Sequence, residues 1–155
     1  MNAPKNIRRV VNWSFTLLII ALGVTQGVPM DRANPSVEGE VSANLDVRAV
    51  LQRAGYDCHS NETVWPSYSR IAPISWLVAS DVHEGREALS CSTWNRLTDQ
   101  EQAKEMHEIG DEAVEGAMPP WLYRKFHPGA RLSEADRSVL ETWSRSMSGG
   151  ESVAR

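Results

Sequence analysis

An uncharged apolar run from Val10 to Val28 limits what this chain can fold into more than any other feature of its sequence. Its 19 residues are about the length that an α-helix needs to cross the hydrocarbon core of a bilayer. We therefore predict a transmembrane helix over residues 10–28. A cleaved signal peptide is the alternative, but its apolar part is usually about 7 to 15 residues long and ends at a small-x-small site. Ala21-Leu22-Gly23 is a poor version of that site.

The charges around this run predict its orientation. Lys5, Arg8 and Arg9 lie in the segment 1–9 before the run, and few basic residues follow it closely. The positive-inside rule therefore places the N-terminus in the cytoplasm. In a bacterial cell the chain beyond Met30 is then in the periplasm, held by a single-pass anchor in the inner membrane. Beyond residue 32 there are 12 basic and 19 acidic residues, a net charge of −7, which argues against a nucleic-acid partner.

The rest of the chain has helical periodicity and no strand alternation, which predicts a small all-α domain. Prolines and mixed charge mark residues 29–43 as a linker, so we expect the domain over residues 44–147 and a disordered tail over residues 148–155. Four helices are expected, with these residues on their apolar faces: Val47, Val50, Leu51 and Ala54; Val78, Val82, Gly85 and Leu89; Ala103, Met106, Gly110, Ala113, Val114 and Ala117; Val139, Leu140, Trp143 and Met147.

Capping residues predict where the four helices begin. Short polar side chains accept hydrogen bonds from the first free amides of a helix, and a carboxylate three residues later returns the bond in a capping box. The expected capping side chains are, in chain order, Asn44, Ser75, Thr98 with Glu101, and Ser133 with Asp136.

Cys58 and His59, within "AGYDCHSNETVWP", are half of a haem-attachment motif. A Cys-x-x-Cys-His segment attaches haem through its cysteines while its histidine binds iron, and Gly55 stands where the first cysteine would be. Cys58 lies four residues after Ala54, on the apolar face of the first helix. Two alternatives stay open. One is a haem-free structural or interaction domain stabilised by a Cys58–Cys91 disulfide, and the other is a zinc site of Cys58, His59, Cys91 and a further histidine.

The sequence around this pair resembles a family of periplasmic haem-binding domains whose members carry a Cys-Tyr-Asp-Cys-His-Ser-Asn-Glu-Thr segment. The likeness covers about Asn34 to Trp143, including "GAMPPWLYRKFHPGARLSEADRSVLETW", and is unbroken from Tyr56 to Thr63. The resemblance implies a cytochrome c-like domain with haem as its cofactor, in which His59 binds the iron and Cys58 bonds to the haem. Because Gly55 has no thiol, the haem is expected to be c-type with one thioether, or else held without a covalent bond.

Met118 is the candidate for the second axial position on the iron. Pro119 disfavours a helical backbone at the residue before it, so we expect Met118 in an extended turn just after the third helix, where its thioether can be aimed at iron. Filling the core is the alternative role. His83, His107 and His127 are each expected at the surface or at the boundary of the core, and His127 is the first substitute if Met118 is not a ligand.

Two axial ligands from the protein leave no coordination position for a substrate, which favours electron transfer over catalysis. The sequence therefore predicts a membrane-tethered electron carrier whose partners are haem, the inner membrane and an unidentified redox protein.

Cys91 departs from the family, which usually has an apolar residue at this position. Core packing is the expected role of the five tryptophans of the domain, Trp65, Trp76, Trp94, Trp121 and Trp143.

Overall fold

The computed structural model describes residues 5–146, and within that range its regular structure is helical, with no strand. This confirms the prediction of an all-α fold. The described chain divides into two compact units. The first unit contains the residues up to Ala33 and Trp65–Asp81, and the second contains Asn34–Val64 and the residues from Val82 onward. The expectations for Met147 and for the tail fall outside the described residues.

Seven α-helices follow one another along the described range. They are α1 (Lys5–Thr25), α2 (Leu45–Ala54), α3 (Tyr56–His59), α4 (Ile74–Ala88), α5 (Asp99–Glu115), α6 (Trp121–Phe126) and α7 (Glu134–Ser146). Three short 3-10 helices lie between them, at Ser67–Arg70, Trp94–Arg96 and Pro128–Ala130.

Helix α1, in the first unit, is long and apolar enough to cross a membrane. The stretch Asn6–Thr25 has 20 residues and none of its apolar window is buried, which is compatible with an anchor by length and composition. The helix ends at Thr25, three residues before the predicted end at Val28. Gln26 and Gly27 instead donate hydrogen bonds to carbonyl groups three residues back, which closes the helix in a tight turn.

The hydrophobic core of the second unit draws on α2, α3, α5, α7 and the segments around residues 41 and 91–94. Its buried members are Val41, Val47, Val50, Leu51, Tyr56, Cys91, Trp94, Met106, Ala113, Leu140 and Trp143. Most of the faces predicted for the first, third and fourth helices are therefore correct. Trp94 and Trp143 are in this core as expected, but the expectation is wrong for Trp121, which is 68% exposed.

Three of the four predicted helix starts are confirmed by their hydrogen bonds. The side chain of Asn44 accepts from the third amide of α2 at 2.9 Å. Thr98 and Glu101 exchange side-chain and backbone bonds in a complete capping box at the start of α5. Ser133 and Asp136 make the same reciprocal pair, at 2.7 and 3.2 Å, ahead of α7.

The prediction that Ser75 caps the second of these helices is wrong. Helix α4 begins one residue earlier, at Ile74, and Ser75 is buried. The amide of Ser75 already donates to the carbonyl oxygen of Ile71 at 2.9 Å. A capping residue precedes the first turn, whereas Ser75 is inside it.

The end of α5 also differs from the sequence prediction. Gly116 adopts a left-handed conformation with φ of 74°, which ends the helix after Glu115. Ala117 is therefore not part of the apolar face of this helix, and Val114 is 48% exposed instead of buried.

Candidate functional site

His59 ends the four-residue helix α3, which also carries Cys58. The Nδ1 atom of His59 lies 2.9 Å from the carbonyl oxygen of Gly85 and 3.2 Å from that of Leu89. Because a carbonyl oxygen can only accept a hydrogen bond, Nδ1 carries the proton of the neutral ring and Nε2 keeps the lone pair. The main chain at the end of α4 therefore sets the tautomer that leaves Nε2 available to a metal.

Helix α3 packs directly against the backbone of α4 at Gly85. A Cβ atom on Gly85 would lie 2.7 Å from the carbonyl oxygen of Cys58 and 3.2 Å from its Cβ. No side chain fits at that distance, so the close approach of the two backbones requires glycine. The carbonyl oxygen of His59, the residue after Cys58, accepts a hydrogen bond from the amide of Cys91 at 2.7 Å. Main-chain contacts thus hold both residues of the Cys-His pair.

Gly55 separates α3 from α2, which corrects the expectation that Cys58 continues the apolar face of the first helix. The amides of Cys58 and His59 both donate to the carbonyl oxygen of Gly55, at 3.1 and 2.9 Å, so a new turn begins there. Gly55 has φ of −125°, which any residue can adopt. A Cβ there would be 3.3 Å from the carbonyl oxygen of Leu51, a close but tolerable contact. The position can therefore hold a side chain.

Side-chain hydroxyl groups fold the segment after α3 back onto that helix. The Ser60 hydroxyl donates to the carbonyl oxygen of Tyr56 at 2.7 Å and accepts from the amide of Glu62 at 2.9 Å. The Thr63 hydroxyl donates to the carbonyl oxygen of Asp57 at 2.8 Å. Ser60 and Thr63 are both buried. The segment Tyr56–Thr63 is thus a self-bonded turn that supports the Cys-His pair.

Arg86 reinforces this turn, and the sequence analysis did not identify it. Its Nε donates to the carbonyl oxygen of Ser60 at 2.8 Å. Its Nη2 donates to the hydroxyl of Thr63 and to the side-chain oxygen of Asn34, each at 2.9 Å. Nothing in "HEGREAL" distinguishes Arg86 from an ordinary charged residue on the surface of a helix. Neighbouring residues of α4 therefore support both the histidine and the turn behind it.

Cys58 and Cys91 are both in the thiol form, so the structure contains no disulfide between them. Cys58 is half-buried, whereas Cys91 is buried in the core. Burial raises the pKa of the Cys91 thiol to about 12, which keeps it protonated at neutral pH. Within residues 5–146 no group of three or more His, Cys, Asp or Glu side chains is arranged to hold a metal ion, so the zinc alternative gains no support.

Met118 lies in the turn between α5 and α6 and is 42% exposed, so filling the core is not its role. Five residues later, on α6, the hydroxyl of Tyr123 donates to the carboxylate of Asp57 at 2.5 Å. Asp57 directly precedes Cys58 on α3. This hydrogen bond joins the helix after Met118 to the helix of the Cys-His pair, although the link to Met118 itself is indirect.

Helix α6 presents large apolar side chains to its surroundings. None of its six residues is buried. Trp121 is 68% exposed, Leu122 47% and Phe126 63%, and they follow Met118 closely in the chain. A group of exposed apolar side chains rarely occurs on a small soluble domain without a ligand or partner. This segment therefore suits contact with a large apolar group.

The remaining histidines divide as the sequence predicted. His83 and His107 are exposed, and each lies beside a carboxylate four residues later, at 3.3 and 3.6 Å. His127 follows α6, with its ring stacked on Tyr123 at a centroid distance of 4.1 Å. Its Nδ1 lies 3.2 Å from the carbonyl oxygen of Tyr123. His127 is thus half-buried at the boundary of the domain, as the sequence predicted.

Comparison with known proteins identifies the family. No curated protein and no solved structure matches this chain. A family model described as a haem-binding domain matches residues 19–146, a range that includes Cys58, His59 and Met118. The match covers far more than half of the chain, so the protein belongs to the haem-binding domain family.

Proposed function

We propose that this protein is a membrane-anchored electron-transfer domain of the bacterial periplasm that binds haem through His59, Met118 and Cys58. In this proposal His59 and Met118 would be the two protein ligands of the iron, and Cys58 would hold the haem through one thioether. The observation that carries it is the pair of contacts from His59 Nδ1 to the carbonyl oxygens of Gly85 and Leu89. Such contacts are typical of a histidine whose Nε2 binds a metal.

The surroundings of His59 fit the role of a fixed ligand. Hydrogen bonding at Nδ1 orients the ring and raises the basicity of Nε2. The backbone approach of Gly85 to Cys58 restricts movement of α3, and Arg86 holds the turn that follows. A histidine held in this way would keep its position when a bound iron changes its oxidation state. When bound, haem supplies one-electron redox chemistry at its iron.

Met118 would supply the second protein ligand to the iron, a role that its exposure and its neighbours support. Its thioether is not committed to the core, and the hydrogen bond between Tyr123 and Asp57 ties the following helix to α3. A thioether ligand favours ferrous iron and so raises the reduction potential. The apolar side chains of Trp121 and Phe126 on the same segment are suited to excluding water. With both axial positions taken by the protein, electron transfer is the expected activity.

Cys58 is the single candidate for covalent attachment. It neighbours His59, and Gly55 has no thiol to offer to a second vinyl group. Attachment would add the Cys58 Sγ and its hydrogen across one vinyl group of the haem, and the other vinyl group would stay unsaturated. The cofactor is therefore proposed to be a c-type haem with one thioether.

The proposed location rests on α1 and on the charges near it. Arg8 and Arg9 lie at the start of the membrane-length helix, which by the positive-inside rule orients the rest of the chain toward the periplasm. The chain beyond residue 32 has a net charge of −7, which would attract a basic surface on the redox partner.

Absorption spectra of the full chain, exported from a host that attaches c-type haem, test this proposal. We expect a haemochrome band between the positions of unattached haem b and doubly attached haem c. His59→Ala should lose haem, whereas Met118→Ala should keep haem with a changed axial spectrum and a lower reduction potential. The matched control is His83→Ala, which removes an exposed histidine and should leave the spectrum unchanged.

Two results would contradict this proposal in different ways. If His59→Ala and Met118→Ala both keep the wild-type spectrum, neither residue is a ligand. If the haem extracts fully into acidified solvent and the intact mass is lower by two hydrogens, the Cys58–Cys91 disulfide alternative replaces the thioether.

A further inference from the structure

Three large aliphatic side chains are exposed where α4 begins. Ile71 is 57% exposed, Ile74 46% and Leu77 62%, and we refer to these three residues as the aliphatic ridge. Ile74 and Leu77 are three residues apart, so they lie on one side of the helix. The side of α4 that is buried contains Ser75 and Ala79 instead. The ridge is therefore separate from the packed face of its own helix.

Hydrogen bonds hold the base of the ridge at the end of α1. The side-chain amide of Gln26 donates from Nε2 to the carbonyl oxygen of Ala72 at 3.1 Å and accepts from the amide of Ala72 at 3.0 Å. Nearby, Arg32 Nη1 donates to the carbonyl oxygen of Ser69 at 3.3 Å. Gln26 directly follows Thr25, the last residue of α1. Ala72, which follows Ile71, is thus fixed at the end of a helix of membrane length.

We infer that the aliphatic ridge lies in the lipid interface of the bilayer that α1 spans. This inference depends on the membrane anchor of the proposed function. A membrane-spanning helix ends near the headgroups, and the two hydrogen bonds between Gln26 and Ala72 hold the ridge at that level. The ligand of the ridge is therefore phospholipid, with aliphatic side chains against the upper parts of the acyl chains.

The charges around the ridge agree with this placement. Arg70 is exposed next to Ile71, and Arg32 is bonded to the same loop, so both guanidinium groups are near the level of lipid phosphates. One turn beyond Leu77, the exposed side of α4 becomes acidic at Asp81 and Glu84. Acidic side chains are unfavourable in an anionic interface. Only the first turn of α4 is therefore expected to enter the lipid.

The ridge and α1 together attach the first unit to the membrane at two places. A single transmembrane helix rotates about its own axis and leaves the attached segment free to tilt. A second contact, joined to the end of that helix through Gln26, restricts both motions of the first unit. Residues 70–77, which include the ridge and the first turn of α4, are thereby assigned a membrane-docking role.

Photocrosslinking of the full chain in liposomes that contain phosphatidylglycerol tests this inference. A benzophenone amino acid is introduced at Leu77, and at Val114 as the matched control. Val114 is also an exposed aliphatic residue, but it borders a surface depression with the carboxylates of Glu115, Glu134 and Glu141. A third variant carries the probe at Leu18, within α1. The yield of lipid adducts is measured by mass spectrometry.

We expect the Leu77 probe to form several-fold more lipid adducts than the Val114 probe, and Gln26→Ala to lower the yield at Leu77. If Leu18 forms lipid adducts but Leu77 forms no more than Val114, the ridge does not contact lipid and the anchor stands. If Leu18 forms none, the anchor itself is wrong, and the inference is wrong with it. Adducts between Leu77 and another protein, without lipid adducts, would assign the ridge to a protein partner and also overturn the inference.

Discussion

Replacement of Gly85 by alanine is the sharpest test of the packing behind the Cys-His pair. The new Cβ would lie 2.7 Å from the carbonyl oxygen of Cys58, whereas ordinary contact begins at 3.4 Å, so the two backbones must separate by about 0.7 Å. Overpacking of a well-packed site costs about 1–3 kcal/mol, and a clash with backbone belongs to the upper part of that range. The substitution also moves the Gly85 carbonyl oxygen away from Nδ1 of His59.

Helix propensity acts in the opposite direction. The sign of the change in the free energy of unfolding therefore shows whether the contact or the propensity is larger. Alanine is favoured over glycine inside a helix by about 1 kcal/mol. The net loss in the free energy of unfolding is therefore expected to be about 1–2 kcal/mol, which lowers Tm by about 4–8 °C in a domain of this size. The fraction of protein that retains haem should fall as well.

Thermal unfolding of the full chain in detergent, followed by circular dichroism at matched haem content, measures this loss. Gly129→Ala is the control, because a Cβ there meets no atom within 4 Å and φ is not positive, so its Tm should stay within about 2 °C of wild type. If Gly85→Ala instead has the same or a higher Tm than the wild type, helix propensity outweighs the contact. The reasoning that α4 positions α3 through Gly85 would then be refuted.

Three further predictions concern Gly55, Cys91 and the orientation of the membrane anchor. Gly55→Cys should move the haemochrome band to the position of doubly attached haem, whereas Gly55→Ala should not; an unmoved band in the cysteine variant contradicts attachment by Cys58. Burial raises the pKa of Cys91 to about 12, above the value of about 9 expected for the unfolded chain, so the free energy of unfolding should fall as pH rises from about 9 to 12. Denaturant titrations of wild type and Cys91→Ala should diverge in that window, and parallel curves would count against it. A reporter enzyme that is active only outside the cytoplasm should be active when fused after Arg155, and an inactive fusion of normal abundance would reverse the orientation.

Features whose cause is local could be predicted from the sequence. The caps at Asn44, Thr98 and Ser133 depend on side chains within three residues of the amides that they satisfy, and all three are present in the structure. The end of α5 at Gly116 was predicted only approximately, because the sequence required the helix to stop before the prolines but did not select the left-handed residue.

Features that join distant segments could not be predicted. The carbonyl oxygen that accepts the hydrogen bond from Nδ1 of His59 belongs to Gly85, which is 26 residues away in the chain. Gly85 fits an apolar helical face as well as it fits a close backbone approach, so periodicity does not distinguish the two. Arg86 looks like an ordinary surface residue of a helix until Ser60 is placed beside it. Ser75 is not a cap because its amide already bonds to the carbonyl oxygen of Ile71, so the first turn begins before Ser75. No capping side chain in the sequence marks that earlier start.

The shortness of α3 has a consequence for the order of events in time. A four-residue helix is too short to be stable alone, because helix nucleation costs more free energy than its few hydrogen bonds return. The Cys-His segment therefore becomes ordered only when Gly85 and Arg86 of α4 dock against it. A newly made chain thus passes through an interval in which Cys58 is flexible and accessible to other molecules. The covalent attachment proposed for Cys58 would compete with docking, and faster folding of α4 would shorten the interval available for it.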